Sequence, residues 1–422
     1  MYSLTNILKS GSSRIRSALG RAQVRTATQD HHVQTFDEED PSRYSPGGYH
    51  PVRIGDEFHN GKYQVIRKLG YGLYSTVWLA RNSQSNQHVA LKVLTADSFG
   101  GEKATLELDI LKHLTSMVTE SPGRSGANHI VGLQDEFKHS GPNGQHVCLV
   151  FKPMGPDMSH YRKLFSRARL PIPVAKKVTK ELLMALAFLH DSCQVIHTDI
   201  KPQNILVETS EINEMFQYAP SEVFSPFYPP HDPPADYYMK SEQVISGEEE
   251  LETADVSIRL TDFGTASWID KHLTEWIQPQ MLRAPEVILG APWDHKVDIW
   301  NLGLIIWELV QGKLVFDGQA TATSAYSSQA HLAQMKAILG TFPKTLLDRS
   351  ESRRIFFDHN DELISGIHFP PVTLRELCDR FKYPVGQDRE DFLAFVESTL
   401  ALEPRNRPDA RELINLRWLR GV

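Results

Sequence analysis

The chain has 422 residues, of which 45 are Lys or Arg and 52 are Asp or Glu, for a formal net charge of -7. That balance excludes a protein that coats nucleic acid or anionic membrane with its whole surface. A 41% hydrophobic and 23% charged composition excludes a wholly disordered chain. No apolar run reaches the roughly eighteen residues of a spanning helix. Cys148, Cys193 and Cys378 are too few and too scattered for a disulfide framework or zinc cluster, and fit a reducing compartment.

Residues 1–29 carry Lys9, Arg14, Arg16, Arg21 and Arg25 and no acidic residue, with Leu4, Leu8, Ile15, Leu19 and Ala22 near one helical face. This is the composition of a mitochondrial transit peptide; a disordered basic tail is the alternative. Residues 30–51 are polar, with an acidic knot from Asp37 to Asp40 and a Ser45-Pro46-Gly47-Gly48 turn cluster, and read as a linker. Short β-branched and apolar runs follow: Tyr63 to Leu69, Thr76 to Ala80, His88 to Leu94, Ile130 to Phe137 and His146 to Phe151. One helical pattern, about Glu102 to Ser116, interrupts them with Leu106, Ile110, Leu111 and Leu114 on one face. From Met154 helices take over, with stripes at Val174, Val178, Leu182, Leu186 and Leu189 and at Val297, Trp300, Leu304 and Trp307. The change of period implies two lobes. Between Glu208 and Asp255 lie twelve acidic residues, one basic residue (Lys240) and six prolines. Such a segment reads as a poorly ordered acidic insert, which Phe216, Tyr218, Phe224, Phe227 and Tyr228 could pin to the surface.

The chemistry-bearing residues punctuate this pattern. In Leu69-Gly70-Tyr71-Gly72-Leu73-Tyr74-Ser75-Thr76-Val77, two glycines let a hairpin backbone approach phosphates, though a plain hairpin turn needs no more. In Val89-Ala90-Leu91-Lys92-Val93, a lysine in an apolar strand calls for phosphate or carboxylate partners, unless it snorkels to solvent. Glu107 can supply the carboxylate, with Glu102 a weaker candidate. In the run from Val195 to Leu206, a polar loop places Asp199 to accept a hydroxyl proton, Lys201 to neutralise a phosphoryl group and Asn204 to offer an amide oxygen to a divalent cation. Asp262-Phe263-Gly264 sets a carboxylate at a strand end, suited to a metal ligand on a movable loop. Arg283-Ala284-Pro285-Glu286, Asp298-Ile299-Trp300-Asn301-Leu302-Gly303 and Glu403-Pro404-Arg405-Asn406-Arg407-Pro408 follow, and Glu286 with Arg407 could form a buried ion pair.

The order and spacing of these motifs resemble a eukaryotic protein kinase from about Phe58 to Leu419. Within kinases the chain is similar to the SR-protein kinase family. Pro46-Gly47-Gly48-Tyr49-His50-Pro51-Val52, Ile54-Gly55-Asp56, Tyr74 to Leu79, Gly144 to Phe151 and His197-Thr198-Asp199-Ile200-Lys201-Pro202 carry that likeness, as does the position of the insert. The resemblance implies an α+β bilobal fold. An N-terminal extension, 1–57, would precede a kinase domain, 58–422, with a β-rich small lobe at 58–153, a helical lobe at 154–422 and the acidic insert at 208–255. It implies ATP and Mg2+ as cofactors and transfer of the γ-phosphate to Ser/Thr hydroxyls of proteins. Lys201, two residues after Asp199, resembles Ser/Thr rather than Tyr kinases.

By the same resemblance Asp199 is the base, Lys201 sits on the γ-phosphate, Asn204 and Asp262 hold magnesium, and Lys92 with Glu107 grips the α- and β-phosphates. Leu69, Gly70, Tyr71, Gly72 and Val77 cover the nucleotide; Val77, Ala90 and Leu206 sandwich the adenine; Phe151 lines the back, and backbone at Lys152 and Met154 pairs with the base. Asp298 anchors the catalytic loop. Departures are Ser75 for a third glycine, Thr198 for an arginine that pairs with an activation-loop phosphate, and Lys152 for an acidic hinge residue. The resemblance also implies Arg-Ser-rich or RNA-processing proteins as substrates, but at 325–333 the family's acidic docking residues are absent, which puts Arg-Ser-repeat substrates in doubt while leaving catalysis intact. A pseudokinase and a small-molecule phosphotransferase of kinase-like fold are the rivals. The resemblance points to cytoplasm or nucleus, the N-terminus to mitochondria; no nucleic-acid partner is expected, and nothing in the chain implies more than a monomer.

Overall fold

A computed structural model describes residues 38–98, 105–120, 126–208, 238, 241 and 256–422. Residues 1–29, Glu102 and the five insert aromatics lie outside them. Six strands make one antiparallel sheet in the order β1-β2-β3-β4-β6-β5: β1 (Glu57–Phe58), β2 (Tyr63–Gly72), β3 (Ser75–Asn82), β4 (His88–Leu94), β5 (Leu133–Gly141) and β6 (Gly144–Phe151). The two-residue period of a strand decides what faces where. On β4, Val89, Leu91 and Val93 enter a core with Phe58, Tyr63, Val65, Trp78, Phe137 and Val150. The alternate residues Ala90, Lys92 and Leu94 therefore face the other side, toward the helical lobe. The glycine pair lies within β2 rather than in the turn, because Gly70 still pairs with Val77 and Gly72 with Ser75; Leu73 and Tyr74 make the turn.

The expected helix runs from Glu107 to Glu120, later than its apolar pattern suggested. Its start coincides with Glu107 and Asp109, whose charge suits a helix N-terminus. Ile110, Leu111 and Leu114 are buried on it. Glu107 precedes them by three, four and seven residues, so the helical period turns its carboxylate inward as well.

The helical lobe is built around two helices, Ile172–Ala187 and Lys296–Gln311. The second is buried almost all round, with Val297, Trp300, Leu304 and Trp307 inside, so it forms the lobe's centre rather than its surface. Gly312 ends it at φ 74°, a left-handed position where a Cβ would also lie 2.5 Å from the Arg167 carbonyl oxygen. Short strands β7 (Val195–Ile196), β8 (Ile205–Val207), β9 (Ile258–Leu260) and β10 (Ser267–Trp268) frame the catalytic segment as the pairs β7–β10 and β8–β9.

The polar stretch expected as a linker is structured from Glu38 onward. Val52 is fully buried, and Glu38 and Glu39 reach the Lys68 ammonium inside the small lobe. Each carboxylate there faces the buried ammonium, which lets a sequence with linker composition pack. Of the acidic insert, Glu208, Tyr238 and Ser241 are described; Tyr238 is buried.

Candidate active site

Lys92 joins the lobes. Its Nζ lies 2.5 Å from Glu107 Oε1 and 2.8 Å from Asp262 Oδ1. Burial alone would push this lysine down, but the two carboxylates outweigh it and hold its pKa above the ordinary value. Burial pushes Glu107 up, against the pull of Lys92. At Asp262 burial also opposes ionisation, yet Lys92, with Lys201 and His197 farther off, brings the carboxyl down to about 2. Asp262 is thus an anion at any physiological pH, and its side chain is 43% exposed. It sits at φ 67°, a strained position for a residue with a Cβ.

The catalytic-loop residues converge on Asp199. Lys201 Nζ lies 2.6 Å from Asp199 Oδ2. Asn204 Nδ2 donates to the Asp199 carbonyl at 2.8 Å and to its Oδ2 at 3.0 Å. The Asn204 nitrogen is thereby spent, and its amide oxygen remains for a cation. His197 supports the loop by donating from Nε2 to Thr261 O at 3.0 Å, with its ring 5.1 Å from that of buried Phe263.

Asp298, at the start of the central helix, suspends the loop. Its Oδ2 accepts from His197 N at 2.8 Å and from His190 Nε2 at 2.9 Å, and its Oδ1 accepts from Thr198 N at 2.9 Å. Burial pushes this carboxyl up, but these bonds and the neighbouring histidines hold it below the usual range. His190 reaches it from a wide turn, Phe188–Ser192, that continues the first long helix. Sequence reading did not single out His190; its only signal was a polar residue closing the apolar stripe.

The remaining expected residues fall on the strands of the small lobe and on the segments that follow it. Leu69, Gly70, Tyr71 and Gly72 end β2, and Val77 belongs to β3. Ala90 pairs with Phe151 across β4 and β6, and Leu206 lies on β8. Met154 is buried after β6. Lys152 is answered by Glu208: Nζ lies 2.8 Å from Glu208 Oε1, which Arg259 also approaches at 3.1 Å. The unexpected hinge cation therefore has its counter-charge at the first residue of the insert.

Farther away, Arg407 makes the expected ion pair with Glu286, at 2.6 and 2.8 Å, with both side chains fully buried. Residues 325–333 lead into helix Ser328–Leu339, whose Gln329 lines a groove with Ile355, Phe356, Leu363, Ile364 and Ser365. No carboxylate is in that lining. Neighbouring acids are engaged: Glu362 pairs with Lys336, Asp361 with Arg353, and Asp348 with both Lys344 and Arg353.

A lysine bridged to two carboxylates, beside an Asp-Lys-Asn cluster hung from a buried aspartate between a β-rich and a helical lobe, is the arrangement of a phosphotransferase. The protein kinase domain matches residues 63–419, and the chain belongs to the protein kinase family. Within it the chain is a serine/threonine kinase of SRPK-like type. It is 30% identical to "Serine/threonine-protein kinase SRPK" of Physarum polycephalum, over 92% of this chain and 93% of that protein. It is 29% identical to "Protein kinase dsk1" of Schizosaccharomyces pombe, over 91% of this chain and 85% of that one. It is 27% identical to human "SRSF protein kinase 3", over 91% and 90%. Nothing favours the pseudokinase reading. Among the described residues, no helix is long and apolar enough to cross a membrane.

Proposed function

We propose that this kinase transfers the γ-phosphate of ATP to Ser or Thr hydroxyls of proteins with Asp199 as base. The observation that carries this is the convergence of Lys201 and Asn204 on Asp199 beside the Lys92–Asp262 pair. The hydroxyl oxygen attacks the γ-phosphorus, the bond from that phosphorus to the β–γ bridging oxygen breaks, and the hydroxyl proton passes to Asp199. Lys201 offsets charge on the phosphoryl oxygens. Lys92, oriented by Glu107, binds the α- and β-phosphates. Asp262 and the Asn204 oxygen suit magnesium, which favours one or two protein oxygens completed by phosphates and water. When bound, magnesium neutralises phosphate charge. Neither Gly70 nor Gly72 has positive φ, and a Cβ at Gly70 would meet no protein atom within 4 Å. Their own chain does not demand glycine there, which supports close approach by a nucleotide.

On substrate, the names of similar proteins point to SR-rich partners, whereas the groove beside Gln329 supports another preference. Ile355 and Ile364 are 66% and 57% exposed at it, and its acidic neighbours already hold cations. The enzyme therefore docks protein substrates through apolar contact, with arginine-rich sequences as poor ligands. Cys148, Cys193 and Cys378 are all buried, and cysteines so few and scattered suit a reducing, intracellular setting.

The test is Asp199→Asn, assayed with Mg-ATP and a Ser-containing protein substrate. Phosphoryl transfer is expected to fall by roughly 10²–10⁴-fold, while ATP affinity stays within about twofold because Lys92 and Asp262 are untouched. Wild-type turnover in this variant would remove Asp199 from the role of base. ATP binding by the wild-type chain without transfer would instead indicate a pseudokinase.

A further inference from the structure

The amino-terminal stretch that packs on the small lobe reaches the glycine-rich turn. Tyr49 Oη donates to Gly72 O at 2.7 Å. Arg43 Nη1 donates to Leu73 O and, at 2.9 Å, to Tyr49 Oη, and its guanidinium lies 4.6 Å from the Tyr49 ring centre. Tyr49 is 2% exposed, and burial raises its pKa, so the phenol keeps its proton and remains a donor.

These donors are themselves fixed at two places on the sheet. Gly47 N donates to Asn143 O at 2.8 Å, and Asn143 Nδ2 donates to Tyr49 O at 2.6 Å, at the turn between β5 and β6. Ala96 N and Asp97 N donate to Gly48 O and Gly47 O at 3.1 and 2.8 Å, just after β4. A Cβ on Gly48 would lie 1.8 Å from Arg43 O, so the chain passes itself there with no room for a side chain.

The upstream end is tied as firmly. Glu38 and Glu39 pair with Lys68, which immediately precedes Leu69 and Gly70. Ser241 donates to Glu38 from its N at 2.6 Å and from its Oγ at 2.8 Å, and Tyr238 Oη donates to Glu39 O at 2.8 Å. The brace thus spans the extension, the nucleotide strand and two residues of the insert.

We propose that Tyr49, assisted by Arg43, is a positioning residue for ATP, setting the glycine-rich turn over the phosphates by bonding the Gly72 and Leu73 carbonyls. This rests on the assignment of that turn to ATP. A two-residue turn left to itself has conformations to lose when nucleotide enters. Carbonyls bonded beforehand reduce that loss, and the gain appears as affinity for the phosphate-bearing part of the ligand. Adenosine has no phosphates and gains nothing from it.

Tyr49→Phe keeps the ring and removes the donor. In the full chain, ATP Kd and ATP KM are expected to rise about threefold to tenfold, the range of one net hydrogen bond. In the same variant, kcat and the protein-substrate KM change less than about twofold, and adenosine affinity is unchanged. Arg43→Ala, at a half-exposed side chain, removes the Leu73 bond and gives the same phosphate-selective loss; it decides the matter should Tyr49→Phe lower folding yield. Unchanged ATP KM in a folded variant overturns the proposal. Equal weakening of ATP and adenosine overturns it too, since that is what a purely structural defect of the lobe produces. Failure of the wild-type chain to bind ATP would overturn the parent assignment instead.

Discussion

Lys92 shows how a buried charge is tolerated and put to use. An ammonium alone in the cleft would be costly, but two carboxylates within 2.8 Å keep it protonated. The opposite solution appears at His331 on helix Ser328–Leu339. Burial, with Arg283 adding to it and Asp317 opposing, pushes its pKa down to about 3, and Tyr326 Oη lies 3.1 Å from Nδ1. The unfolded chain takes up a proton at His331 near pH 6.5, whereas the folded one resists until about pH 3. Between those values the unfolded state binds more protons, so stability falls as pH falls. One such histidine contributes a loss of about 1.4 kcal/mol per pH unit. Urea unfolding at several pH values between neutral and mildly acidic is expected to show this slope, and His331→Gln to flatten it by that amount. An unaltered slope would mean that His331 takes up its proton in the folded state as it does in the unfolded chain. His50, also held near 3 by burial and by neighbouring histidines, supplies a further share that the variant leaves in place.

At the scale of elements, the catalytic loop is held in a conformation its residues would not choose. Thr198 has φ 67°, an unfavourable position for a β-branched side chain, of order 1–3 kcal/mol. The Asp298 carboxylate fixes its N–H, and its Oγ1 donates to Thr265 O at 2.8 Å, at the start of the activation segment. A short hydroxyl therefore ties the catalytic loop to that segment where an arginine would await a phosphate. Because Thr198 carries no charge, a phosphate has nothing to gain from it. Phosphatase-treated enzyme is expected to keep kcat/KM within about threefold of untreated enzyme, since no charge pair is lost. A tenfold loss would place another cation in the arginine's role.

Across the whole molecule, the ion pairs sort by what they do. Glu286 and Arg407 are fully buried and bidentate, and Arg407 also donates to the carbonyls of Ala401 and Lys296, so the pair locks the helical lobe's geometry. Pairs around the groove are exposed and individually weak, yet they occupy the carboxylates a basic substrate would seek. An Arg-Ser-repeat peptide is therefore expected to be phosphorylated slowly. Its kcat/KM is expected to change by less than about threefold when salt rises from roughly 50 to 200 mM, because no set of docked charges is screened. Rapid turnover that collapses with added salt would reveal an acidic docking surface elsewhere and return arginine-rich proteins to the substrate class.

The two-lobe division and the strands of the small lobe were legible in the chain, because strand and helix periods and motif spacing are local properties. Lys92 in an apolar strand demanded a partner, and Glu107 was within local reach. That Asp262 is the second partner required the fold, since the two are 170 positions apart and no local period relates them. The stretch around Glu38 and Glu39 was misleading for a related reason. Composition registers each charge as a preference for water, but a carboxylate facing a buried ammonium loses that preference, and Lys68 stands 29 residues from Glu39. The brace from Tyr49 to Gly72 depends likewise on a chain crossing, not on a motif. Residue types and their local order determined which chemistry the protein has; tertiary contacts alone decided which charges pair with one another and what holds the glycine-rich turn in place.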